Sequence, residues 1–132
     1  MKNYKKAFSL LEMVFAVVII GIIASVAMPK LFNTKNDALV STIKQDLVTV
    51  TSAIQGQYML NRKVEKITDV VSVNNSIWEI EDKTIVFKEK DLSCLEVKLS
   101  DYELEVIVNK EVGEVCEKLF DKGMVSTIYY LN

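Results

Sequence analysis

From Phe8 to Met28 the chain reads FSLLEMVFAVVIIGIIASVAM, apolar on every side, with Glu12 as its one charge. At 1.5 Å per residue these twenty-one positions make a helix of about 31 Å, one hydrocarbon thickness. Beyond Pro29 the pattern changes. Leu39, Ile43, Leu47, Val50, Ile54 and Tyr58 recur at steps of three and four, opposite Lys44, Gln45, Thr49, Ser52 and Gln55. This is the period of an amphipathic helix, and the stripe predicts packing against a core of its own domain.

After residue 61 the period falls to two, broken by short charged turns. Ser76–Ile80 and Thr84–Phe87 flank Glu81-Asp82-Lys83 and predict a hairpin. Cys94–Leu99 and Tyr102–Val108 predict a second strand pair. Val115–Lys122 predicts a short helix with Gly123 at its C-terminal cap, and Val125–Leu131 a last strand. The expected fold is α+β. A long N-terminal helix, first transmembrane and then amphipathic, packs on a small antiparallel sheet of four or five strands. At 132 residues in all, one domain plus an attachment is the matching organisation.

Charge divides in the same way. The chain has 16 basic and 18 acidic residues, a net charge of −2. Lys2, Lys5 and Lys6 crowd the first seven positions, where there is no acid. Taking these three from the 16 leaves thirteen basic against 18 acidic residues in the rest. An acidic body does not offer the positive field that nucleic acid requires, so nucleic acid is not the default partner. The basic start predicts a cytoplasmic N-terminus, with the residues after Met28 on the far side of the membrane. A cleaved secretory signal ending at Ala27 is the competing reading. Its apolar stretch would be longer than the 7–15 residues usual for such signals.

Candidate chemistry is sparse. With no histidine, the usual base near neutral pH and histidine metal sites are excluded. Phosphate-binding glycine loops, zinc spacings and nucleophile elbows are not found in the sequence, so no catalytic residue, metal ligand or cofactor is expected. Glu79, Glu81 and Asp82, and separately Asp101, Glu103 and Glu105, are expected on a solvated strand face rather than at a metal or catalytic centre. Cys94 and Cys116 enclose about twenty residues. Export would make a disulfide their natural state, stabilising the domain by roughly 3 kcal/mol; two buried thiols are the alternative. Glu12 is the informative residue, because a charge inside an apolar span marks function by default.

The string Lys5-Lys6-Ala7-Phe8-Ser9-Leu10-Leu11-Glu12-Met13 resembles the cleavage and methylation motif of type IV prepilins and type II secretion pseudopilins. The resemblance implies residues 1–7 as a leader cut by a prepilin peptidase between Ala7 and Phe8, with Phe8 methylated at its new amine. It implies Glu12 as the acid that sets register between subunits, one helical turn from that amine. It implies Pro29 as a proline that bends the helix without ending it, so that one helix of roughly 75 Å runs from Phe8 to about Tyr58. Residues 8–28 would then be the transmembrane and filament-core helix, 29–61 its amphipathic continuation and 62–132 the β domain. In many pilins a disulfide near the C-terminus frames a variable surface, the role implied for Cys94 and Cys116. Leaders in this family usually end in Gly; here Ala7 stands in that place, which would slow the cut.

The partners implied are other pilin or pseudopilin subunits, the peptidase, an inner-membrane assembly platform and the membrane itself. A pseudopilin is the first expectation and a minor or major pilus subunit the second. A monomeric membrane-anchored binding domain is the rival from another class.

Overall fold

The computed structural model describes residues 7–132; residues 1–6, which hold most of the expected leader with Lys2, Lys5 and Lys6, lie outside the described residues. The chain divides into two units, residues 1–36 and residues 37–132.

One helix, α1 (Leu10–Asn61), contributes to both units, with Pro29 inside it. Proline has no amide proton, so the Ser25 carbonyl loses its helical donor while the helix continues. In the first unit every described side chain from Ala7 to Lys35 is exposed. The apolar run therefore finds no cover among its own described residues. A helix so long and apolar meets the length and composition needed to cross a membrane.

The second unit is a helix on a sheet. Strands β1 (Trp78–Ile80), β2 (Thr84–Glu89), β3 (Leu92–Leu99), β4 (Glu103–Val108) and β5 (Thr127–Tyr130) form one antiparallel sheet in chain order. A second helix, α2 (Glu114–Asp121), lies between β4 and β5 in the chain. Period-two burial sends Ile85, Phe87, Leu95, Val97, Leu104 and Val106 to one side. There they meet Val40, Ile43, Leu47, Val50, Ile54 and Tyr58 of α1 in a single core, which gives the α+β arrangement expected of a pilin-like domain. Trp78 is fully buried, packs edge-on against Phe87 at 6.3 Å, and donates its indole N–H to Asp46 of α1 at 2.9 Å.

The stripe predicted along α1 is the buried face, with one shift at its start. Leu39 is only half-buried and Val40 is fully buried. The first predicted strand begins two residues late. The amides of Ile77 and Trp78 both donate to the Asn74 carbonyl, and the Asn74 side chain accepts from the Ser76 amide, so Asn74–Ile77 is a turn. β2 and β3 run longer than expected, because a two-residue turn at Lys90-Asp91 joins them. Both residues take positive φ, 53° and 61°, the requirement of a tight hairpin turn. At the end of α2, Gly123 takes φ 91°, with its amide on the Phe120 carbonyl and the Met124 amide on the Leu119 carbonyl. This is the glycine-terminated cap predicted for that position.

Candidate assembly motif

Each part of the expected site is local to the start of the chain, so its geometry follows from how α1 begins. Ala7, Phe8 and Ser9 are not helical; the helix starts at Leu10. The first four amides of any helix lack an internal partner, and something must satisfy them. Here Ser9 does so. Its Oγ accepts from the Glu12 amide at 3.2 Å, and its carbonyl accepts from the Met13 amide at 3.2 Å. Glu12 returns the bond: Oε2 accepts from the Ser9 amide at 3.1 Å and from the Ser9 hydroxyl at 3.4 Å. The pair forms a capping box, and the negative charge sits at the positive end of the helix dipole.

This explains why the helix begins at Leu10 rather than at Phe8. A residue whose side chain caps the first turn holds a non-helical backbone, so Ser9, with Ala7 and Phe8 before it, stays outside. Phe8 is 75% exposed, and the Ala7–Phe8 bond precedes the helix. The Ser-x-x-Glu spacing of Ser9 and Glu12 is the signal that periodicity alone passes over.

A model of the family described as "Prokaryotic N-terminal methylation motif" matches residues 2–28. The chain carries the N-terminal methylation motif of type IV prepilin-like proteins. The match supports a type IV pilin- or pseudopilin-like subunit. It ends at Met28, and the prepilin-like segment is therefore the same apolar stretch that is exposed throughout the first unit. No curated protein and no solved structure matches the chain.

Apart from Pro29, the other residues singled out in the sequence lie in the second unit. Cys94 on β3 and Cys116 on α2 are joined as a disulfide, with Cα atoms 5.8 Å apart, a bridge that fits a pilin-type domain. Beside it, Glu89 at the end of β2 accepts from the Val115 amide through Oε1 and from the Cys116 amide through Oε2, both at 3.1 Å. Glu89 thus caps α2 from another element. Gly113 precedes that helix, and a Cβ there would overlap the Glu89 carboxylate. Sequence reading missed Glu89, since nothing near it in the chain marks a cap for a helix that begins at Glu114.

Glu89, Cys94 and Cys116 bring three metal-ligating atoms within 4.8 Å of one another. The disulfide occupies both sulfurs, and the α2 amides occupy both Glu89 oxygens. The arrangement works as a clamp on α2 and offers no free ligand set.

The acids expected on strand faces are not drawn into one cluster, and Glu81, Asp82 and Asp101 lie in the connections between strands rather than on them. Glu79, Asp82 and Asp101 pair with Lys88 at 2.8 Å, Lys66 at 3.4 Å and Lys83 at 3.8 Å. Glu81 is exposed, while Glu103 and Glu105 are half-buried along β4. The hydrogen bond from Lys88 to Glu79 holds the lysine pKa above its ordinary value. Lys118 of α2 reaches Asp37 of α1 at 3.2 Å and Glu114 at 3.4 Å, and its hydrogen bond to Asp37 likewise raises its pKa.

Proposed function

We propose that the chain is a structural subunit of a filament assembled at the inner membrane, in first choice a pseudopilin of a type II secretion system. One observation carries this reading. A prepilin methylation motif opens onto an exposed apolar helix whose single charge, Glu12, sits in the first helical turn. A bare apolar helix of this length must be covered by lipid or by copies of itself. A subunit that moves from bilayer to filament core uses one surface for both.

The steps follow from the chain's own residues. The leader lysines hold the N-terminus in the cytoplasm and leave the second unit on the periplasmic side. A prepilin peptidase cuts the non-helical Ala7–Phe8 bond and methylates the Phe8 amine. Glu12 then meets the amine of a neighbouring subunit, and Pro29 bends α1 for close packing. A charge pair in an apolar surround adds little net stability, but a misaligned neighbour leaves both charges bare, so it selects register. The part played by the chain is packing and charge matching rather than catalysis. The small, glycine-poor second unit, with four glycines in the whole chain, favours the pseudopilin.

The deciding measurement is the intact mass and first residue of the protein recovered from its native membrane. A chain starting at methylated Phe8 is expected. A chain starting at Met28, or one retaining Met1, would end the filament reading. Glu12→Ala is expected to stop assembly while the protein stays anchored; unchanged assembly would favour the monomeric binding domain. Loss of enzyme secretion without surface fibres is expected on deletion. Long extracellular fibres built of this chain would instead make it a pilus subunit.

A further inference from the structure

The Glu12 carboxylate is not a free charge waiting for a partner. Both hydrogen bonds it accepts arrive at one oxygen, Oε2, from the Ser9 amide and the Ser9 hydroxyl. Among the described residues, Oε1 accepts none. We infer that Ser9 is a positioning residue for assembly: it fixes Glu12 Oε2 to the start of its own helix and leaves Oε1 to receive the amine of a neighbouring subunit. This rests on the filament reading proposed above and assigns a second residue to it.

Three physical points favour this division of labour. A glutamate side chain has three rotatable bonds, and an unheld one would have to be ordered at the moment of docking. Ser9 orders it beforehand, at the cost of no extra residue. In an apolar surround an unpaired amide is expensive, so the Ser9 amide and Glu12 Oε2 have strong reason to stay together. Finally, the contact survives the proposed cut. Cleavage after Ala7 turns the Phe8 nitrogen into an amine but leaves the Ser9 amide and hydroxyl intact, so the acid is aimed both before and after processing.

The test uses the full chain in its own cells, with Ser9→Ala and Ser9→Thr compared with the unaltered protein. Intact mass reports the cut and the methyl group, and sheared, sedimented filament reports assembly. Ser9→Ala is expected to be cut and methylated normally yet to assemble roughly five-fold less, the loss of one helix cap. Ser9→Thr restores the hydroxyl and is expected to restore assembly. Normal filament yield from Ser9→Ala would overturn the inference and leave the filament reading standing. Failure of Ser9→Ala at the cut would also overturn it, by making Ser9 a peptidase contact. An unaltered chain that is cut but never forms filament would remove the filament reading itself, and this inference with it.

Discussion

Residues 7–36 and residues 37–132 use the same kind of element in opposite ways. In the first unit α1 is apolar on every face as far as Met28, and every described side chain up to Lys35 is exposed. In the second, α1 is apolar along one stripe, and Ile43, Val50 and Ile54 on that stripe are completely buried. The stripe ends the search for a partner inside the domain. The uniform surface cannot do so, because no orientation of such a helix hides it from water. Sequence therefore decides where a helix looks for its cover: a narrow stripe finds it within the chain, and an all-round surface finds it in lipid or in neighbours.

The contrast can be broken most forcefully with one truncation in each unit. Leu95→Ala empties a fully buried site and is expected to destabilise the second unit by about 3 kcal/mol, seen as a lower midpoint in Trp78 fluorescence unfolding of the detergent-held chain. Ile19→Ala, at an exposed site, is expected to leave that midpoint unmoved. A shift from Ile19→Ala would mean that the apolar run packs on the domain after all.

The next largest effect sharpens what holds the second unit together. Replacing Cys94 and Cys116 by serine is expected to cost about 3 kcal/mol at most. Glu89→Ala is expected to cost about 1–2 kcal/mol through the lost α2 cap. If α2 is clamped at one place by both, the two losses will not add, and a double-mutant cycle reads the difference.

The smallest effect is electrostatic. Because the hydrogen bond to Asp37 raises the Lys118 pKa in the folded state, its contribution is present below the ordinary lysine pKa and is lost as pH rises through the folded value. Thermal midpoints measured from roughly pH 9 to 12 should therefore fall slightly less in Asp37→Asn than in the unaltered chain.

Much of this was legible in the residues because it is periodic or adjacent. The stripe of α1, the alternation of β2 to β4, and the glycine after α2 each announce themselves within a few positions. Leu39 packs against the core as the stripe predicts, but full burial begins at its apolar neighbour Val40, a choice that only packing against the sheet makes. The Asp46–Trp78 bond and the Glu89 cap join residues 32 and 26 positions apart, and no local pattern marks them. Ile67 was missed for a related reason. It sits in a one-turn 3₁₀ helix, Ile67–Asp69, too short to show a period, and its amide is held by the Asp82 carbonyl at 2.8 Å. Ser9 is different: its pairing with Glu12 spans three residues, and the spacing alone would have identified it.

The order of the sheet has a consequence for how the molecule is made. Its strands lie side by side in the order in which they are synthesised, β1 to β5. Every pairing is a turn away along the chain, apart from the return through α2, so loop-closure costs stay small and the sheet can grow one hairpin at a time. A chain passed across a membrane from its anchored end would present the α1 stripe first, then add strands to it in sequence. No strand has to wait for a distant partner or be threaded between two already placed. A filament subunit of the kind proposed would gain from such a route, because few half-built copies with open edges would meet one another on the way.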